Sequence, residues 1–304
     1  MASYKKDTQQ TKVGTDRLLP STLALIKERY GKILLTGAAG GVGQALRGRL
    51  AQDGLDVRAS DRAPMTPLVK GEEIVPCDLA DLEMVEDLVR GCGGVIHLGG
   101  KSIEGTFEEI LQSNIRGTYN LFEAVRRCMR KHGVRPRIFF ASSNHVMGFY
   151  EQKTQVDHLD PMKPDSLYGV SKCFGENLGS YYWHKFGIEN ISVRIGACFE
   201  KPTNRRLMTM WLSYDDLTRL IYAIFSAPRV AHTVMYATSA NESGWYDNRN
   251  AAFLGWQPQD TSRQFRQDIE EDEVTKTAAV DIDDPAVIYQ GGGFAKAPHF
   301  EDPT

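Results

Sequence analysis

The sequence predicts a parallel, doubly wound α/β sheet followed by a small C-terminal region. From Lys32 onward, short β-type runs alternate with longer segments whose apolar residues lie three and four positions apart. This alternation is typical of parallel strands joined by crossover helices. Several of the short runs are continuously apolar, as expected of strands that helices cover on both faces. A glycine-rich turn joins the first run to the first helical segment.

Each strand is predicted from a short β-type run, and each helix from apolar spacing of three and four. The predicted strands are Ile33–Leu35, Val57–Ser60, Glu73–Cys77, Val95–Leu98, Ile138–Ala141, Ile191–Ile195 and Val234–Ala237. The predicted helices are Val42–Gln52, Leu82–Arg90, Phe107–Lys131, Tyr168–Phe186 and Tyr214–Ser226. Two irregular polar loops, Phe149–Ser166 and Cys198–Leu212, lie at the sheet edge where such folds bind ligands.

These elements are expected to form one body rather than two separable domains. The pattern Leu23–Ile26 indicates a short helix within an otherwise polar N-terminal extension that is flexible in part. The acidic run Glu270–Glu273 is interpreted as a solvated face. Along the chain we distinguish the extension (1–30), the sheet core (31–195), an irregular region interleaved with the last strands (196–270) and a C-terminal tail (271–304).

Composition excludes several classes of partner. The 304 residues are 41 % hydrophobic and 25 % charged, with a formal net charge of −3, as in an ordinary globular chain. No block of about five or six lysines and arginines occurs, so we expect neither a nucleic-acid partner nor an anionic membrane surface. No apolar stretch approaches the roughly 20 residues that span a bilayer.

The cysteines and the N-terminus predict a cytoplasmic protein without a metal. Five widely spaced cysteines with no C-x-x-C pair match neither a disulfide framework nor a zinc site. The N-terminus lacks the apolar core of a secretory signal.

The turn after the first strand has the composition of a phosphate-binding loop. It reads Thr36-Gly-Ala-Ala-Gly-Gly-Val-Gly43, and its glycines let backbone N–H groups approach a pyrophosphate at a helix N-terminus. Asp61 ends the next strand 18 residues after Gly43, where a carboxylate binds an adenosine ribose and repels a 2′-phosphate. We therefore predict a Rossmann-type site for NAD, while the adjacent Arg62 would favour the 2′-phosphate of NADP.

A second constellation predicts oxidoreductase chemistry. Tyr168 and Lys172 are four residues apart on a predicted helix, so they share one face. A phenol with a reference pKa of ~10 is a poor base at neutral pH, and we expect the neighbouring cation to favour the phenolate. Ser143 ends the fifth strand, where its hydroxyl would bind the reacting oxygen. Ser142 is the alternative, because an alternating strand points only one of the two at the site.

With these motifs the chain resembles the extended short-chain dehydrogenase/reductase superfamily. The resemblance rests on the spacing Gly37-x-x-Gly40-x-x-Gly43 and on Tyr168-x-x-x-Lys172. It implies that Ser143, Tyr168 and Lys172 are catalytic, that Asp78 caps the adenine and that Asn114 braces the site. The NAD-binding residues that it implies are Gly37, Ala39, Gly40, Gly41, Val42, Gly43, Asp61, Arg62, Asp78, Leu79, Leu98, Gly99, Gly100, Asn114, Tyr168, Lys172 and Ile195.

Longer stretches resemble the uronate dehydrogenase family over about residues 32–300, most specifically Ser142–His145 and Tyr168–Asn177. Members of that family oxidise the anomeric C1 of glucuronate or galacturonate with NAD to an aldarolactone. The resemblance implies a carboxylate-binding Arg206, with Arg205 as the neighbouring alternative. The substrate-binding residues that it implies are Ser102, Ser143, Asn144, His145, Tyr168 and Arg206.

Two positions depart from the family pattern, and both bear on substrate preference rather than on reaction type. Ala197 stands where the family has a small hydroxyl residue, and Lys101 stands where it has an apolar one. The alternative functions are a nucleotide-sugar epimerase or dehydratase and a non-catalytic NAD(P)-sensing regulator. Only 132 residues follow Lys172, few for a nucleotide-binding region, and regulators commonly lose the tyrosine or the lysine. The family resemblance also implies a homo-oligomer.

Overall fold

One sheet of seven parallel strands organises the residues that the computed structural model describes, 20–275 and 281–302. The strands are β1 (Lys32–Thr36), β2 (Asp56–Ser60), β3 (Glu73–Ile74), β4 (Cys92–His97), β5 (Arg137–Ser143), β6 (Asn190–Ile195) and β7 (His232–Ala237). Their order across the sheet is β3-β2-β1-β4-β5-β6-β7, and every pair is parallel. The switch point, where doubly wound sheets bind ligands, thus lies between β1 and β4. The predicted fold class is confirmed.

Helices cover both faces of this sheet. They are α1 (Pro20–Tyr30), α2 (Gly41–Gln52), α3 (Leu82–Val89), α4 (Phe107–Ile110), α5 (Gly117–His132), α6 (Leu167–Phe186), α7 (Arg205–Met210), α8 (Tyr214–Ser226), α9 (Arg266–Thr275), α10 (Pro285–Ile288) and α11 (Gly293–Lys296). No helix within the described ranges is long and apolar enough to cross a membrane.

The strand side chains alternate between two apolar cores. On β1, Ile33 and Leu35 join the core beneath α1, α2 and α8, whereas Leu34 joins the core beneath α3, α5 and α6. On β5, Phe139 and Phe140 divide in the same way. This division explains why the strands read as continuously apolar, because each face of the sheet is buried.

Helix α1 is part of the first core. Ile26 and Tyr30 are buried there, and the Tyr30 ring packs edge-on against Phe225 of α8 with 5.0 Å between centroids. Arg29 Nη1 donates a hydrogen bond to the carbonyl of Ala227, 2.7 Å away, just beyond the end of α8. Residues 20–30 of the predicted extension are therefore part of the folded core, packed against α8. The rest of it, 1–19, lies outside the described residues.

The predicted helix Phe107–Lys131 is interrupted. Helices α4 and α5 are joined by a wider, π-helical stretch over Leu111–Arg116. Such stretches insert one residue into a helix and are frequent at functional sites. This one carries Asn114, which is buried and points towards α6.

Helix α6 packs closely on β5 because it presents glycine to the strand. A Cβ on Gly175 would lie 2.2 Å from the Phe140 ring. Ser166 caps the first turn of α6 by accepting a hydrogen bond from the Gly169 N–H (3.0 Å). The start of α6, which carries Tyr168, is thus held beside the carboxyl end of β5.

The C-terminal segment, defined here as residues 281–302, returns to the carboxyl edge of the sheet. The Gln290 N–H donates to the carbonyl of Tyr150 and the Gly291 N–H to that of Gly148, both at 2.8 Å. This part of the predicted tail therefore packs beside the cavity described below. Residues 276–280 and 303–304 lie outside the described residues.

Truncation of Ile26 tests whether α1 belongs to the core. We expect Ile26→Ala to lower the free energy of unfolding by about 2–5 kcal/mol, because it opens a cavity at a fully packed position. Its neighbour Leu25 is 37 % exposed, so Leu25→Ala should change that free energy by less than about 1 kcal/mol. Urea denaturation measures both, and equal small losses would contradict the assignment of α1 to the core.

Candidate active site

A cavity of about 1220 Å³ opens at the carboxyl ends of the central strands. Drug-sized ligands occupy pockets of about 300–1,000 Å³, so the space suits a longer ligand. Of the residues predicted to bind NAD or substrate, all but Ala39 and Asn114 line it.

The glycine-rich turn forms one end of the cavity. A Cβ on Gly43 would lie 2.1 Å from the Gly37 carbonyl oxygen, so only glycine permits the turn to close on helix α2. Gly40 caps α2 without a side chain, and the first amides of the helix are thus open to an anion. This arrangement fits the pyrophosphate of NAD.

Asp61 holds the glycine-rich turn and borders the cavity. Its Oδ2 accepts a hydrogen bond from the Ala39 N–H (3.1 Å), and its Oδ1 accepts one from the Ala63 N–H (3.0 Å). Ala39 thus acts through Asp61 rather than as a lining residue. The carboxylate stands where it would accept a ribose hydroxyl, while the exposed Arg62 lies beside it.

Asn114 braces the site from outside the cavity. Its Oδ1 accepts a hydrogen bond from the Lys101 N–H (2.7 Å), and its Nδ2 donates to Ser171 Oγ (3.0 Å). It therefore ties the loop after β4 to α6. The prediction that Asn114 braces the site agrees with this geometry. Its predicted contact with NAD stays a prediction, because Asn114 does not line the cavity.

The loop after β4 is fixed by a buried neutral histidine. Thr36 Oγ1 lies 2.7 Å from His97 Nδ1 and accepts a hydrogen bond from the Gly99 N–H (3.1 Å). Burial lowers the pKa of His97 to about 3, so the ring carries no charge at neutral pH. Leu98, Gly99 and Gly100 are thereby held against the cavity.

Tyr168 and Lys172 are both buried at the centre of the cavity wall. Lys172 Nζ donates a hydrogen bond to the Ala141 carbonyl (2.8 Å) and lies 5.5 Å from the centre of the Tyr168 ring. Burial lowers the pKa of Lys172 to about 8. Burial also raises the pKa of Tyr168, and the hydrogen bond with Ser143 opposes that rise. The expected net lowering of the Tyr168 pKa is therefore wrong for the protein alone, because burial outweighs the hydrogen bond with Ser143.

The two serines at the end of β5 point to different partners. Ser142 Oγ donates a hydrogen bond to Glu176 Oε1 (2.6 Å), and Glu176 is paired with Arg194 (2.9 Å) in a fully buried network. Both serines border the cavity, but Ser143 Oγ accepts a hydrogen bond from the His145 N–H (3.2 Å) and is the one that bonds the Tyr168 phenol. This geometry supports Ser143 rather than Ser142 as the residue facing the reacting oxygen.

Asn144 and His145 continue the cavity wall beyond Ser143. Asn144 Nδ2 is buried and has no hydrogen-bond partner among the described residues, which suits a donor to a ligand oxygen. His145 Nδ1 lies 2.7 Å from Asp165 Oδ2, whose side chain is fully buried. The Phe294 ring of the C-terminal segment packs on the His145 ring, with 4.0 Å between centroids.

Asp165 and Phe294 were not predicted as site residues. Asp165 lies in an irregular polar loop without a motif, and Phe294 lies in a stretch without periodicity, so neither gives a local sequence signal.

Arg206 rather than Arg205 lines the cavity. Its Nε and Nη2 donate hydrogen bonds to the Gln290 carbonyl, at 2.9 and 2.5 Å. Burial lowers the pKa of its guanidinium, the nearby Asp165 opposing this shift. Arg205 is mostly exposed, and its Nη2 lies 3.8 Å from Glu270.

The two residues that depart from the family pattern also border the cavity. Lys101 Nζ forms an ion pair with Glu109 (2.7 Å) and lies 5.6 Å from the centre of the Phe300 ring. Its charge is therefore shared with a carboxylate, next to the exposed Ser102. Ala197 presents only a methyl group, and its N–H donates to the Met210 carbonyl (2.9 Å).

The described part of the chain contains no cluster of side chains suited to bind a metal ion. No group of three or more His, Cys, Asp and Glu residues there could hold a metal ion. The five cysteines are free thiols, and burial raises the pKa of Cys77 and Cys92 to about 11.

Comparison with known proteins yields matches along nearly the whole sheet. Residues 33–213 match the NAD dependent epimerase/dehydratase family. A uronate dehydrogenase of Pseudomonas putida is 48 % identical over 89 % of this chain and 98 % of that protein. The crystal structure of a glucuronic acid dehydrogenase from Chromohalobacter salexigens is 51 % identical, with a TM-score of 0.84 over 90 % of this chain and 100 % of that one. A uronate dehydrogenase mutant from Agrobacterium tumefaciens, complexed with NAD, is 47 % identical with a TM-score of 0.82 over 89 % and 99 %.

Proposed function

The chain belongs to the NAD dependent epimerase/dehydratase family and, within it, to the uronate dehydrogenases, and on this premise we propose the roles of its site residues. It is an NAD-dependent oxidoreductase that oxidises the anomeric C1 of a hexuronic acid, glucuronate or galacturonate, to the aldarolactone. The observation that carries the proposal is the presence of Ser143, Tyr168 and Lys172 in one cavity with Arg206. The three side chains at positions 143, 168 and 172 can move a proton, and the guanidinium of Arg206 can bind a carboxylate.

The cyclic uronate binds with its C1 hydroxyl between Ser143 and Tyr168. The Tyr168 phenolate takes the hydroxyl proton as the C1–H bond breaks, and the C1–O bond becomes the lactone carbonyl. NAD, when bound, supplies the acceptor for the hydride from C1 and a positive charge near the phenol. Lys172 would hold the nicotinamide ribose through hydrogen bonds from its ammonium group.

The other end of the sugar is recognised by polar groups around Arg206. The guanidinium binds the substrate carboxylate. Asn144 Nδ2, the His145 ring and Ser102 bind sugar hydroxyls. We assign NAD binding to residues 31–195, which also provide these three side chains to the substrate. The rest of the substrate site is assigned to residues 196–270 together with the C-terminal segment.

The same family includes epimerases and dehydratases, which is the alternative for this site. An epimerase returns the hydride to its substrate and yields no net NADH, whereas a dehydrogenase accumulates NADH. The half-buried Arg206 at the cavity favours a free uronate, because its guanidinium can bind a carboxylate. A non-catalytic regulator would not need the paired Tyr168 and Lys172.

We also propose that the enzyme is cytoplasmic, because its free cysteines suit a reducing compartment.

We further propose that the enzyme is a homo-oligomer. Helices α5 and α6 expose Tyr119, Val170 and Tyr181, whose exposed fractions lie between 44 and 46 %. Exposed apolar side chains of this kind favour association with a second copy of the chain.

NADH formation tests the proposed activity. We expect absorbance at the NADH band to rise with glucuronate or galacturonate plus NAD, and to rise far less with glucose or galactose. Tyr168→Phe removes the proton acceptor and should lower kcat by at least about 100-fold. Its affinity for NAD, measured by fluorescence titration, should stay within a few-fold. Undiminished turnover by this variant would contradict the role of Tyr168.

The raised pKa of Tyr168 predicts the sign of the pH dependence. Since only the phenolate accepts the proton, kcat at saturating NAD should rise with pH on the acid side of that pKa. Ser143→Ala removes the hydrogen bond that lowers the pKa of Tyr168, so the rise should move to higher pH. Ser142→Ala is the matched control, because Ser142 bonds Glu176 instead. A profile that moves with Ser142→Ala, or does not move with Ser143→Ala, would exclude this account.

A further inference from the structure

The C-terminal segment contacts the arginine that the proposed function assigns to the substrate carboxylate. The Gln290 carbonyl accepts two hydrogen bonds from Arg206, through Nε and Nη2. A guanidinium has five N–H donors, and the other three lie on Nη1 and Nη2. Nη1 and Nη2 together form the edge of the guanidinium that faces away from the side-chain stem, and this edge can hold a carboxylate with two parallel hydrogen bonds. The carbonyl thus determines which edge of Arg206 is presented to a ligand.

Gln290 is itself held firmly. It is fully buried, and its N–H donates to the Tyr150 carbonyl (2.8 Å). Its side-chain Nε2 donates to the carbonyls of Thr154 (2.8 Å) and Glu151 (3.3 Å). The main-chain and side-chain hydrogen bonds together fix the position of the carbonyl that Arg206 meets.

Gly292 gives the guanidinium its space. The residue has φ of +61°, and a Cβ there would lie 2.4 Å from Arg206 Nε and 2.5 Å from Cζ. No side chain larger than hydrogen fits without displacing Arg206. The backbone there, with φ of +61° and ψ of −127°, also favours glycine on its own account.

We propose that Gln290 and Gly292 are positioning residues for substrate recognition, which orient Arg206 so that the C-terminal segment determines the affinity for the uronate carboxylate. The inference rests on the proposed function and adds to it a specificity element outside the sheet core. These residues do not touch the reacting atoms, so their effect should fall on KM rather than on kcat.

A double-mutant comparison in the full-length chain tests this coupling. Gly292→Ala should raise KM for glucuronate at least tenfold and leave kcat and the Kd for NAD within about threefold. In an Arg206→Ala background, where the guanidinium is absent, the same substitution should change KM less than twofold. A merely structural role for Gly292 would raise KM equally in both backgrounds, and that result would overturn the inference.

Gly255→Ala is the control for placing a methyl group at positive φ in free space. Gly255 has φ of +65° and ψ of +7°, and a Cβ there meets nothing within 4 Å, so KM should be unchanged. The strain specific to Gly292, with φ of +61° and ψ of −127°, is present in both Arg206 backgrounds and is therefore controlled by the double-mutant comparison itself. If Gly292→Ala does not fold, Gln290→Ala repeats the comparison, because it removes the side-chain hydrogen bonds that fix the carbonyl. It too should raise KM only when Arg206 is present. Absence of NADH formation with either uronate in the unmodified chain would overturn the proposed function itself, whereas equal KM increases in both backgrounds would overturn only the coupling.

Discussion

The close packing of helix α6 against strand β5 is the constraint on which the site depends. The hydrogen bond from Lys172 Nζ to the Ala141 carbonyl (2.8 Å) spans this contact and brings Tyr168 beside Ser143. It forms only because glycine at position 175 lets the helix approach the Phe140 ring. A bulkier residue there would move the phenol and the ammonium together, away from the end of the strand.

Burial of these groups has an electrostatic consequence. The pKa of Lys172 falls to about 8 and that of Tyr168 rises because both lose water, and each shift disfavours the charged form. The protein alone therefore disfavours the phenolate of Tyr168, whereas Lys172, with a pKa of about 8, remains mostly protonated at neutral pH. In the proposed function, the positive charge of the oxidised nicotinamide ring would favour the phenolate. Stability is provided elsewhere, for example by the buried pair of Glu176 and Arg194 beneath Ser142.

Features with a local origin could be predicted from the sequence. The glycine-rich turn, Asp61 and the four-residue spacing of Tyr168 and Lys172 each depend on a few neighbouring residues, and the structure brings them to one cavity. The π-helical stretch around Asn114 could not be predicted, because one inserted residue barely changes an apolar pattern.

Long-range contacts also escaped prediction. The C-terminal segment reaches Arg206 across 84 residues of chain, and no short pattern encodes such a contact. The pKa of Tyr168 is raised mainly by burial in the complete fold, so the net direction of this shift could not be predicted from the spacing of Tyr168 and Lys172.

In the proposed reaction, hydride leaves the anomeric carbon of a uronate for NAD and does not return to the sugar. Glucuronate deuterated at C1, incubated with the enzyme and NAD, tests it most directly. We expect the deuterium to appear in the reduced cofactor, the reaction to be slower than with unlabelled sugar, and the product to carry no deuterium at C1. Retention of the deuterium in the sugar, with unlabelled NADH or with no net reduction of NAD, would contradict it.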